Sequence, residues 1–140
     1  MLSACAAPQS SFAFNLSGDA TGSVNIEATG EIDDAGDLAL DNDAWQLDMS
    51  LGGLSTGNHN DAEVTILRKT DGAIFTTTVG GTCTVILDPH DSSNGSPVNG
   101  VFYCTGLMSS TGMTVGVTGG EFLTEINDSE NDPGASPPGV

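Results

Sequence analysis

Basic side chains are nearly absent from this chain. Arg68 and Lys69 stand against nineteen Asp and Glu, for a formal net charge of −17. A surface so short of cations repels phosphate backbones and anionic lipid head groups, which excludes nucleic acid as a partner. The chain also lacks any run of eighteen or more apolar residues, so it holds no membrane-spanning helix, and membrane contact would have to come through a covalent anchor. Aromatic residues are few: five Phe, one Trp and one Tyr. Sugar-binding β-domains need flat exposed platforms, and Phe12, Phe14, Trp45, Phe102 and Phe122 fall in phase with aliphatic strand neighbours instead. Only Tyr103 is out of phase, which makes it the one candidate for an exposed ring.

Catalytic patterns are equally sparse. His59 and His90 are the only histidines, both in polar turn sequences, and there is no Gly-x-Ser-x-Gly, His-Glu-x-x-His or Cys-x-x-Cys. With nineteen carboxylates, pairs suited to glycosidase chemistry are so numerous that they discriminate nothing. The expectation is a non-enzyme, with a small secreted hydrolase as the distant alternative. A zinc site from His59, His90, Asp88 and Asp91 would require the fold to join two separate loops.

What the chain does have is period two. Phe12, Phe14 and Leu16 alternate with Ala13, Asn15 and Ser17; Trp45, Leu47, Met49 and Leu51 alternate with polar residues in the same way. Similar runs follow at Val24–Ile32, Val64–Ile66, Ile74–Val79, Cys83–Leu87, Val101–Leu107, Met113–Val117 and Phe122–Ile126. Gly, Asn and Asp clusters cut them apart, and no window has helical spacing. The expected fold is all-β, with about eight or nine short antiparallel strands. An immunoglobulin-like two-sheet sandwich is the first architecture, and a partly closed barrel the second. The doublets Gly52-Gly53, Gly80-Gly81 and Gly119-Gly120 lie between strand-like runs, where a turn or bulge is expected. Ala73–Val79, uncharged and β-prone, would be the exposed edge if it is not an ordinary central strand. The domain is expected over residues 12–126, preceded by a tether at 6–11 and followed by an acidic Pro/Gly tail at 127–140.

One acidic stretch suggests a ligand. Between Glu31 and Asp48 lie seven carboxylates, and Asp33, Asp34, Asp37, Asp41 and Asp43 cluster at two expected turns, the first of them a hairpin. Hard oxygen donors on adjacent loops suit Ca²⁺, so a calcium-dependent extracellular binding module is an alternative function. The spacing departs from an EF-hand loop, because Gly36 comes too early and no Glu follows at the twelfth position. Asp is also a common turn residue in its own right.

Leu2-Ser3-Ala4-Cys5 resembles a bacterial lipobox, the end of a lipoprotein signal peptide. The charged and apolar regions that precede a lipobox are not among these residues, so an upstream start or a trimmed chain is expected. The resemblance implies that Cys5 becomes an acylated N-terminus, and Ala6 after it fits an outer-membrane or cell-surface destination. If Cys5 carries lipid, Cys83 and Cys104 remain as a pair. The turn-rich segment 88–97 between them would close a hairpin with Cys83 opposite Cys104 and Val85 facing Phe102. Together these features lead to an exported, lipid-anchored surface protein with a binding or structural role, such as adhesion, envelope assembly or self-assembly.

Overall fold

A computed structural model describes residues 9–33, 35–91, 93 and 95–127. Cys5, Asp34 and the tail beyond residue 127 lie outside them. Ten strands account for most of the chain: β1 Gln9–Gly18, β2 Gly22–Thr29, β3 Ile32–Asp33, β4 Asp37–Asp41, β5 Trp45–Ser50, β6 Gly57–Arg68, β7 Ala73–Thr76, β8 Thr82–Leu87, β9 Pro97–Met108 and β10 Thr114–Asn127. No helix occurs among the described residues. The alternation is carried directly into burial: in β9 Val98, Phe102 and Cys104 point inward while Asn99, Val101 and Tyr103 point out. Strand β1 starts at Gln9, so Gln9–Ser11 of the expected tether are paired with β2, with Ser11 opposite Glu27.

The all-β expectation holds, and of its two architectures the barrel-like one is realised. All ten strands belong to one hydrogen-bonded sheet, ordered β2-β1-β10-β9-β7-β6-β5-β4, with β8 pairing both β6 and β9 and β3 pairing β10. A two-sheet sandwich would have split this path. The pairings β6–β7, β7–β9, β9–β8 and β8–β6 close a four-strand ring. The ring arises because β7 and β8 lie along successive stretches of β6: residues 65–68 pair β7 and residues 57–62 pair β8. The chain between them turns at Gly80-Gly81, where a Cβ on Gly81 would run into the backbone of Gly106. Only glycine fits that approach. β7 lies between β6 and β9 and is not an exposed edge.

The sheet curls because every long strand has one apolar face and those faces share one interior. Its two ends, β2 and β4, meet side by side, and Asn42 Nδ2 donates to the Asn25 carbonyl at 3.0 Å across that seam. The interior is a single cluster from Phe12 to Ile126. At its centre Phe102 meets Phe12 edge-on at 5.7 Å, Phe14 at 5.6 Å and Phe122 at 6.3 Å between ring centroids. The buried polar pair Ser10 and Thr124 is satisfied: their hydroxyls lie 2.7 Å apart, and Ser10 also donates to the Gly30 carbonyl. Among the described residues no buried side-chain nitrogen or oxygen lacks a partner, as a stable interior requires.

Candidate functional site

Cysteine geometry comes first, because it decides which thiol is left. Cys83 and Cys104 are joined by a disulfide, their Cα atoms 4.1 Å apart. They face one another in the β8–β9 ladder, and Val85 faces Phe102 two residues on, in the register read from the sequence. Cys5, the third cysteine, lies outside the described residues.

Among the described residues Asp33, Asp37, Asp41 and Asp43 do not converge on one point. Asp33 Oδ1 accepts from the backbone N–H of Ala35 at 3.0 Å and of Asp37 at 2.9 Å, bracing the turn into β4. This turn is not the hairpin expected from its sequence, since β3 pairs in parallel with β10 and not with β4. Asp37 Oδ1 accepts from Ser50 Oγ at 2.6 Å, and Asp41 Oδ2 receives the Lys69 ammonium at 2.8 Å. Asp43 sits exposed in the β4–β5 turn, where Asn42 Oδ1 caps the N–H groups of Ala44 and Trp45. Among the described residues no three His, Cys, Asp or Glu side chains converge on a metal position. Local backbone N–H groups take oxygens of Asp33 that the spacing alone offered to a cation.

His59 lies in β6 opposite Val85 and not in the turn expected for it, whereas His90 is in the β8–β9 loop. His59 Nε2 lies 2.7 Å from the Ser55 carbonyl, and His90 Nε2 lies 2.7 Å from the adjoining Leu54 carbonyl. His90 Nδ1 faces the Asp91 carbonyl at 2.9 Å. The histidines thus fasten the loop between β5 and β6 to its neighbours, and both nitrogens of His90 are directed at backbone oxygens.

Two outer faces of the sheet have a shape that can receive something. On β4, β5 and β6 a groove of about 360 Å³ is lined by Asp37, Asp48, Ser50, Glu63, Thr65 and Thr78. Its acids are set by register, since Asp37 opposes Ser50 and Ser50 opposes Glu63. On β8, β9 and β10 large apolar side chains stand among the outward polar ones. Val101, Tyr103 and Leu123 are each nearly half exposed, at 46%, 48% and 46%. Tyr103 was legible as out of phase. Val101 and Leu123 were missed, although each is an apolar residue beside an inward Phe and so falls on the solvent phase of its strand.

Both basic side chains are already paired. Arg68 donates to Asp71 through Nε at 3.0 Å and Nη2 at 2.7 Å, and Lys69 binds Asp41. The Arg68 hydrogen bonds, helped by the Ala73 N–H, hold the Asp71 carboxyl down at about 2. The same bonds raise the Arg68 guanidinium above its ordinary value. The chain therefore presents an acidic outer surface whose own cations are committed. Comparison with family models, with curated proteins and with solved structures finds no match to this chain.

Proposed function

We propose that this chain is an exported, lipid-anchored, non-catalytic domain that binds or packs against another macromolecule at a bacterial outer membrane or cell surface. The observation that carries the proposal is the cysteine arithmetic. With Cys83 bonded to Cys104, Cys5 is the single cysteine left over, and it stands at the end of the lipobox-like Leu2-Ser3-Ala4-Cys5. A disulfide in a domain of this size supports an oxidising compartment. Several acyl chains on one cysteine anchor a domain firmly where a single chain holds only marginally. The non-catalytic reading is supported by how the histidines are used, as ties to the backbone of the loop before β6, and by the absence of any familiar nucleophile motif in the sequence.

The test is expression of the full-length precursor, as the natural chain and as Cys5→Ser, followed by fractionation and intact mass. The expected result is membrane-bound natural protein with a lipid-sized mass increment, and release of the variant into the soluble fraction. Equal release of both forms overturns the anchoring. A hydrolytic activity abolished by one side-chain change overturns the non-catalytic reading.

A further inference from the structure

Three of the five large apolar side chains exposed among the described residues stand on neighbouring strands of one face. Val101 and Tyr103 project outward from β9, two residues apart. Val101 is paired with Ile86 of β8 on one side and with Glu121 of β10 on the other. Leu123 is therefore its diagonal neighbour, at a spacing of about 7–8 Å that such side chains can bridge. A groove of about 420 Å³ runs beside them, flanked by Glu121 and Asp88. Solvent faces of antiparallel sheets normally carry polar residues, so three large apolar side chains exposed on one face, interleaved with Asn99 and Glu121, mark a candidate interaction site.

We infer that this face docks a second protein whose contact surface sets lysine or arginine around an apolar centre; the inference rests on the binding role proposed above, not on the anchor. Charge decides the occupant. Glu121 lies within the apolar area and Asp88 at its border, on a chain of net charge −17. A second copy would bring the same negative charge, and its Arg68 and Lys69 are already held by Asp71 and Asp41. Self-docking would set carboxylate against carboxylate, whereas a basic partner meets Glu121 with a cation and covers Val101 and Leu123 with its own apolar groups. Because β9 is flanked by β8 and β10, its backbone is already paired. Docking here works through side chains and not by adding a strand.

The test uses the soluble Cys5→Ser full chain and three synthetic peptides that share one pattern of leucine and tyrosine. The remaining peptide positions are all lysine, all glutamine or all glutamate. The lysine peptide is expected to bind at least about tenfold more tightly than the glutamine peptide, and the glutamate peptide least. Val101→Ser with Leu123→Ser is expected to weaken the lysine peptide by about tenfold, while Ile74→Ser with Val79→Ser, a pair exposed elsewhere, leaves it unchanged. Glu121→Gln, which leaves the apolar residues in place, narrows the preference for lysine over glutamine. Equal weakening by both double variants, or none by either, overturns the inference in favour of general attraction to an acidic chain. Equal binding of the lysine and glutamine peptides overturns the charge argument. Concentration-dependent self-association abolished by Val101→Ser with Leu123→Ser makes a second copy the occupant and also overturns it. Since no lipid enters this assay, its failure and a failure of anchoring are read separately.

Discussion

Phe102 shows how much one side chain carries in this interior. It touches Phe12, Phe14 and Phe122 and is fully buried, so little around it can close over a void. Phe102→Ala is expected to destabilise the domain by about 3–5 kcal/mol, read as a lower urea midpoint with an unchanged slope. Gly81 is the backbone counterpart. Its φ of +93° and the close approach of Gly106 leave no room for a Cβ, so Gly81→Ala is expected to cost more than about 2 kcal/mol in the same measurement. Asp71 contributes differently, because it is exposed. Its folded value, about 2, lies below the ordinary 3.8, so the stabilisation is present above pH 4 and is lost as the pH falls through about 2. Asp71→Asn is therefore expected to lower the thermal midpoint slightly at pH 7 and to have no effect below pH 2, since water screens an exposed pair.

At the level of elements, the β8–β9 hairpin is the best-determined unit. Its ladder runs from Thr82 opposite Thr105 to Leu87 opposite Gly100, with the disulfide inside it. Reducing the bond, or making Cys83→Ser with Cys104→Ser, is expected to cost about 3 kcal/mol for a loop of this length, measured by chemical unfolding with and without reductant. The domain should still fold, because the same hairpin is held by inward Val85, Leu87 and Phe102. Strand β10 depends on a local irregularity: its register to β9 shifts between Val117 and Gly120, with Gly119 at a φ of +62°. Such bulges bend a strand and increase its twist, which a sheet that brings β2 around to β4 requires.

Across the whole molecule, the acidic excess acts on stability and on association alike. Folding gathers most of this acidic excess into a small volume, where it repels itself. Raising sodium chloride from about 10 mM to 150 mM shortens the screening length from about 30 Å to 8 Å, and the thermal midpoint is expected to rise with it. A midpoint that falls or stays level would show that the carboxylates are better satisfied by specific partners than their exposure implies.

The sequence by itself determined the all-β class, the buried face of most strands and the disulfide register, while it left β4 unread, put the start of β6 in a turn and cut β10 in two at Gly119-Gly120. Alternation is a local property, and one residue of slip in β8 would turn Cys83, Val85 and Leu87 outward together. It could not choose between two sheets and one curled sheet, because inward and outward residues alternate identically in both. That choice came from pairings between distant segments: β1 with β10, and β7 and β8 in succession along β6. Tertiary structure also decided the candidate sites. Asp33, Asp37 and Asp41 are close in sequence yet turn to separate backbone, hydroxyl and ion-pair partners, while Val101 and Leu123, far apart in the chain, became neighbours through the β9–β10 ladder. Proximity along a chain sets which turns can form, whereas proximity across a sheet depends on how the whole apolar interior closes.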